Sequence, residues 1–434
     1  MTTIKKIFLA GLCLVLIAGV AGANGLNLNS LGSRALAMGG AFVGLADDFS
    51  AAFWNPAGMA GFTKKTFGIY GADLIPKMTY DLSIGPLTLV NAETENKNYL
   101  AGMAAYYHPV NDTLVAGLSV YMPSGLGANW TGSDFSLLTA GQAYRWESKV
   151  GMVTIAPGVG IRINDKFSIG ATLNINYAVF DMYTHAGAQL FDQGQQSLNL
   201  TGWGFGATFG ALYHLTDQFS VGASLRLPTR VKFSGTSEIQ NLSLLGQIPE
   251  SPLFGTQISN TSDTEASVTW PLWLGIGLAF KPLSNLTLTA DFHYTNWKTI
   301  DVIDLDFADQ IWRLITSQNE ADKFNFFWQA ASQVRFGGEY VFGKNIAVRA
   351  GYYWDPTPAP DKTMNVLLPS FDFNVITFGF GYTTAGLTID VGFEYLMGKD
   401  RDVDPYPTLI DSTNMFGLYT MKIFVPTVSV NYGW

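Results

Sequence analysis

The 434-residue chain carries 46 glycines, 14% aromatic residues and only 14% charged residues, where about 25% charged is usual. Its mean hydropathy is +0.17, too apolar for an ordinary soluble surface, and its net charge of −9 argues against nucleic acid as a partner. Beyond the N-terminus no run of about 18 apolar residues occurs. That excludes spanning helices and leaves the closed β-barrel, the other structure that satisfies every backbone group in lipid.

The first 23 residues read as a cleaved signal peptide. Lys5 and Lys6 form the basic region, residues 7–20 the apolar run, and Ala21-Gly22-Ala23 a small-residue cleavage site. Cys13 is the only cysteine and follows Leu12, so a lipoprotein site is excluded. Without this segment the chain has no disulfide, no thiolate chemistry and no cysteine metal site. Residues 24–63 are different again. Leu28, Leu31, Ala35, Leu36 and Met38 recur at helix-like spacing before a Gly39-Gly40 break. About forty residues of short helical pieces are too few for an independent domain. A partly helical plug inside a barrel, here called the hatch, is the economical reading.

From Thr66 onward the pattern has period two. Phe167, Ile169, Ala171, Leu173, Ile175, Tyr177 and Val179 alternate with smaller or polar residues, and Trp203, Phe205, Ala207, Phe209, Ala211 and Tyr213 alternate mainly with glycines. Such alternation, with an apolar outside and a small or polar lumen, is the barrel form of the strand signal. Short turns rich in Asn, Asp and Gly recur at 110–113, 164–166, 216–218, 283–285, 343–345 and 383–386. Long connections fall at 81–97, 123–150, 184–200, 235–266, 300–332, 355–373 and 398–420. Six turns and seven loops require fourteen antiparallel strands over 64–434, with all short turns on one side. That asymmetry suits a multi-pass bacterial outer-membrane barrel with periplasmic turns and external loops. The alternating end, Val428, Val430, Tyr432 and Trp434, resembles the signal read by the barrel-assembly machinery.

Three motifs carry a family resemblance. Residues 31–41 (LGSRALAMGGA), Ala46-Asp47-Asp48 and Asn55-Pro56-Ala57-Gly58 are similar to the N-terminal hatch of the FadL/TodX family of outer-membrane long-chain fatty acid and hydrocarbon transporters. Residues 120–127 and 291–297 resemble the same family. The resemblance implies a fourteen-stranded barrel plugged by a hatch. It implies passive carriage of hydrophobic molecules, long-chain fatty acids or aromatic hydrocarbons, with exit sideways into the bilayer. A general porin or structural barrel is the alternative outside the family.

Single residues then take candidate roles. Gly39, Gly40, Ala41, Asn55, Pro56 and Ala57 form the hatch motif, with Asn55-Pro56 suited to a tight turn docked on the wall. Strand parity puts Arg162, Arg226, Asp291, Arg335, Glu339, Arg349, Asp390 and Glu394 inside, because basic charges facing lipid cost roughly 2–4 kcal/mol at mid-membrane. Their mixed signs point to a salt-bridge lattice holding the hatch. Arg226 or Arg349 is the alternative reader of a ligand carboxylate. The fourth and fifth loops are unusually apolar. Leu242, Leu244, Leu245 and Phe254 in one, and Ile311 and Leu314 in the other, are candidate ligand contacts, against the alternative of loops packing on each other. Asp301, Asp304, Asp306 and Asp309 lack the spacing of a calcium loop. The four histidines, His108, His185, His214 and His293, show no metal-ligand pairing, and no serine nucleophile pairs with His293 and Asp291. No cofactor, metal or enzymatic role is expected. The expected partners are a hydrophobic small molecule and outer-membrane lipids.

Overall fold

The computed structural model describes residues 25–186, 194–249, 251–317, 321–405 and 415–434. The expected signal peptide lies outside them. Fourteen antiparallel barrel strands run through the described residues. They are β1 Thr66–Ile84, β2 Leu87–Glu93 continued by Tyr99–Pro109, β3 Leu114–Trp130, β4 Trp146–Arg162, β5 Phe167–Ala186, β6 Gly194–Thr216 and β7 Phe219–Arg226 continued by Thr229–Ile239. They continue with β8 Thr261–Trp270 and Trp273–Leu283, β9 Leu286–Thr295, β10 Ala331–Phe342, β11 Ile346–Asp355, β12 Phe373–Thr384, β13 Leu387–Gly398 and β14 Gly417–Gly433. Each pairs with its neighbours in sequence, and β1 closes on β14 from Thr66↔Gly433 to Asp81↔Leu418. Closure leaves no free edge to desolvate, which is what lets a sheet stand in lipid.

Strand parity sorts the side chains. On β12, Ile376, Phe378, Phe380 and Tyr382 point outward and are exposed, while Val375 and Thr377 face the lumen and are buried. The expected long connection at 81–97 is a correction. β1 and β2 continue through it as a hairpin turned at Gly85-Pro86, paired from Ile84↔Leu87 to Thr79↔Glu93. Asp81, Ser83, Thr88 and Asn91 look like loop residues, yet Leu82, Val90 and Ala92 alternate with them and are buried. The polar face stands above the apolar band, where strand residues need no lipophilic outside. β5 and β6 likewise run on to Ala186↔Gly194, within the span expected to be a loop.

Two of the wall's interruptions bear on the site. The β3–β4 ladder shifts register between Tyr121 and Ser124, around Pro123. β7 and β8 both break at prolines: the β7–β8 pairs Arg226↔Trp273 and Thr229↔Trp270 flank Leu227-Pro228 on one strand and Pro271-Leu272 on the other. Proline has no N–H to give the ladder, so opposed prolines unpair both strands together.

Residues 25–62 lie in the lumen. They include helices α1 Ser33–Ala37 and α2 Ala51–Trp54 and the 3-10 turn Pro56–Gly61, nearly all buried. Their backbone comes so near the wall that a Cβ on Gly160, Gly170, Gly210, Gly222, Gly277, Gly337 or Gly351 would collide with it. The inward glycines therefore form a seat running around the barrel. Close approach is one of the few uses that repay glycine's entropic cost in a strand.

Candidate functional site

On the β10–β13 side the hatch is held by charge. Arg34 of α1 donates two bonds to Glu339, at 2.8 and 2.9 Å, and one to Asp47 at 2.5 Å. Glu339 also accepts from Arg349 at 2.6 Å, and Arg349 donates to Asp390 at 2.7 Å. The chain Asp47–Arg34–Glu339–Arg349–Asp390 alternates in sign, so every buried charge has an opposite neighbour. Arg335 donates to the Gly39 carbonyl at 3.0 Å and to Gln333, with its guanidinium 4.1 Å from the Tyr353 ring centre. Tyr353 in turn donates to Glu394 at 2.6 Å.

Neutral bonds complete the docking. Asn55 accepts from its own Ala57 N–H at 3.1 Å and donates to the carbonyls of Val43 and Ala211, at 2.9 and 3.0 Å. The first bond makes the turn; the other two tie it to the hatch and to β6. Asp291 accepts from the Val43 N–H at 2.8 Å, and His293 lies 3.3 Å from the same oxygen. Arg162 reaches the Ala60 carbonyl at 3.1 Å.

A second region of the lumen is built differently. A narrow pocket of about 30 Å³ lies between these two wall interruptions. Tyr121, Pro123 and Ser124 come from β3, Met152 and Thr154 from β4, Asn174 and Asn176 from β5. Arg226, Leu227 and Thr229 of β7 and Trp270, Pro271 and Trp273 of β8 form the far side, with Asn27 of the hatch between them. A string of bonds crosses it: Trp270 Nε1 donates to Ser124 Oγ at 3.0 Å, and Ser124 Oγ donates to Asn27 Oδ1 at 2.9 Å. Hatch residues also pair with the β3 break, where Leu28 N–H donates to the Pro123 carbonyl at 2.9 Å. Arg226 donates to the Phe53 carbonyl at 3.0 Å and lies 4.7 and 5.2 Å from the ring centres of Phe53 and Trp273. Its buried Nε has no hydrogen-bond partner among the described residues, and no carboxylate bonds the guanidinium there. A larger space of about 360 Å³ opens on the short-turn side, lined by charged groups such as Asp47, Arg162 and Asp165.

Residues 14–433 match the family described as "Outer membrane protein transport protein (OMPP1/FadL/TodX)". The chain belongs to this family. Among curated relatives of the FadL/TodX chain is a "Long-chain fatty acid transport protein" of Escherichia coli O6:H1, 23% identical, covering 88% of this chain and 89% of that one. "Outer membrane protein P1" of Haemophilus influenzae is 21% identical over 93% of this chain and 92% of its own. The barrel superposes on a Pseudomonas aeruginosa FadL homologue with a TM-score of 0.75 at 19% identity, covering 94% and 99% of the two chains. For the Pseudomonas putida toluene transporter TodX the TM-score is 0.70 at 16% identity, covering 94% and 98%. These structures establish the shared fold, and the family places the protein in the outer membrane.

Within this FadL/TodX barrel the candidate residues are dispersed. Of the ligand-contact candidates, Arg226 alone lines the inner pocket. Arg349 lies in the lattice with its guanidinium on two carboxylates. Leu242 is buried in the 3-10 turn Leu242–Gly246, whereas Leu244 and Phe254 are exposed and Leu245 is partly covered. Ile311 and Leu314 lie on helix α3, Gln310–Ser317, the first partly buried and the second exposed. Its largest buried residue is Trp312, which ties the two loops by donating to the Ser259 carbonyl at 3.0 Å. Asp309, one of the four aspartates without calcium-loop spacing, caps α3 by accepting from the Ile311 and Trp312 N–H groups at 2.8 and 3.1 Å.

Sequence reasoning missed two contributors. The sixth loop buries Met364, Val366 and Phe371 completely, and its Val366 carbonyl accepts from Trp130 at 2.9 Å. The run Met364-Asn365-Val366-Leu367-Leu368, bounded by prolines, was the available signal. Trp270, Trp273, Asn174 and Asn176 carried none, since inward strand parity alone does not distinguish a pocket from a packed wall.

Proposed function

We propose that this FadL/TodX-family transporter carries long-chain fatty acids, bound in the pocket beside Arg226, by passive diffusion. The observation behind the reading is a guanidinium with a free buried donor facing an aromatic pocket. Aromatic and aliphatic side chains suit an alkyl chain, which gains about 0.8 kcal/mol per buried CH₂. A single carboxylate would complete the arginine, and paired Arg–carboxylate bonds are among the strong ones. As it stands the pocket, about 30 Å³, has room for little more than a water, so in this reading an alkyl chain enters only when the hatch or the interrupted wall shifts. Thr154, Asn174 and Asn176 are already bonded within the wall, Thr154 to Asn176 at 2.6 Å and Asn174 to Thr208 at 2.9 Å, so the choice of ligand rests on Arg226. In this reading the exposed Leu244, Phe254 and Leu314 of the external loops gather the ligand, and exit runs sideways through an interrupted stretch of wall.

The curated relatives named for fatty acid transport support this reading. The alternative ligand is an aromatic hydrocarbon, favoured by the rings of Tyr121, Trp270 and Trp273 and by the solved toluene transporter. Binding of a chain-length series, with toluene alongside, separates the two. Fatty acid affinity should climb with chain length and fall in Arg226→Gln. A flat series with tighter toluene binding rejects the fatty acid. Removing residues 24–63, the proposed hatch domain, should turn a nearly silent barrel into an ion-conducting one. Equal conductance of both would reject the plugged-channel reading.

A further inference from the structure

Two basic residues sit outside the lumen altogether. Arg230 and Lys232 lie on β7 just beyond the Pro228 break, on its outward, exposed face. Lys232 is directly across from Trp203 of β6. That indole is 55% exposed and 4.9 Å from the Tyr177 ring of β5. Toward the short turns the outward positions of β6 are apolar, namely Phe205, Ala207, Phe209, Ala211 and Tyr213; toward the loops they are Thr201 and Asn199. Trp and Tyr concentrate where hydrocarbon meets headgroups. Lys232 therefore stands at headgroup level on the loop side. Arg230 starts at the upper edge of the hydrocarbon and must extend its head upward to reach water.

Neither residue has an acidic partner across the sheet. Lys232 faces Ser267 of β8 and Arg230 faces Thr269. The outward acids of these strands, Glu265, Asp263 and Glu238, lie farther toward the loops. Elsewhere the wall matches some such cations, although Lys422 of β14, across from Lys77 and Met397, has no acid opposite it. Lys77, one step above the outward Ile75 of β1, has Glu93 at 2.6 Å, and Lys149 of β4 is directly across from Asp181 of β5. On β7 and β8, by contrast, charge is sorted by height, bases at the lipid edge and acids in the solvent. We infer that this face binds the phosphate of an outer-leaflet lipid, whose acyl chains lie along Phe205 and Phe209 below. Basic residues at a membrane surface gain about 1 kcal/mol each from anionic lipid, and Arg makes paired bonds to phosphate. A free phosphate would lack the apolar half of the contact.

The experiment uses delipidated full-length protein in mild detergent and native mass spectrometry. The probes are a phosphorylated acyl-glucosamine lipid, its dephosphorylated form and inorganic phosphate. The intact protein should prefer the phosphorylated lipid roughly tenfold or more. Arg230→Gln/Lys232→Gln should lose that preference, and each single variant part of it. Heat-modifiable gel mobility and fatty acid binding should stay unchanged, which separates this site from the Arg226 pocket. Equal binding of the two lipids by the intact protein would overturn the inference. So would an undiminished preference in the double variant, or displacement of the lipid by millimolar inorganic phosphate.

Discussion

The lumen holds arginines in two settings. On the β10–β13 side Arg34 and Arg349 share Glu339, and Asp47 and Asp390 close the two ends. On the β3–β8 side Arg226 meets a carbonyl and two rings, and its Nε is unmatched. Both regions are enclosed by the same barrel and touch the same hatch. The difference teaches how to read a buried cation. Where the protein supplies the counter-charge, the arginine fastens one element to another; where it does not, the counter-charge has to come from outside.

The comparison can be broken at four places. The largest effect should follow Glu339→Ala. It leaves Arg34 with Asp47 alone and Arg349 with Asp390 alone, and removing one partner of a buried charge pair costs about 3–5 kcal/mol. The variant should unfold at lower urea and pass more current in planar bilayers, as the hatch loses its anchor. An unchanged current would mean that the neutral bonds alone hold it. Next, Gly210→Val places a side chain against Asn55 and Pro56. Overpacking of this kind costs about 1–3 kcal/mol. Current should rise while the barrel itself keeps its heat-modifiable mobility.

Arg226→Gln and Arg349→Gln should then part company. The first should weaken palmitate roughly tenfold, the scale of a charged hydrogen bond lost, with little change in the urea midpoint. The second should lower the midpoint and leave palmitate affinity alone. Parallel losses in both variants would erase the distinction between the two regions.

The smallest effect concerns pH. In the hatch, burial pushes the Asp48 carboxyl up to about 6, against the pull of Arg34 and of bonds from Ser50. An unfolded Asp titrates near 3.9. The folded state thus holds the proton more tightly, and this contribution to stability is full below about pH 4 and lost as pH rises through about 6. The urea midpoint should fall slightly over that window, and Asp48→Asn should flatten it. A midpoint that rises with pH in the intact protein and stays unchanged in the variant would contradict the assignment.

The barrel was legible because its signal is local and repeated. Each strand must alternate whatever its neighbours do, so Phe167–Val179 or Trp203–Tyr213 could be read alone. The short turns were legible for the same reason, through Asn, Asp and Gly at fixed places. The hairpin at Gly85-Pro86 was not, because alternation above the lipid band has no apolar outside to announce it. The inward glycines were visible as small residues, but the backbone they make room for comes from a segment a hundred or more residues away. Arg226 and Arg349 show the same limit most sharply. Both are arginines at inward strand positions, and parity put both in the lumen.

The chain by itself therefore determined the closed fourteen-stranded wall, its lipid-facing side, the buried placement of its charges and its membership in a transporter family. Period-two patterning and a short hatch motif are written into consecutive residues. Only the tertiary structure decided which arginine is matched and which is left open, where proline breaks on β3, β7 and β8 surround a pocket, and how the glycines seat the hatch. Those properties belong to side chains brought together by barrel closure, and no sequence interval records that distance.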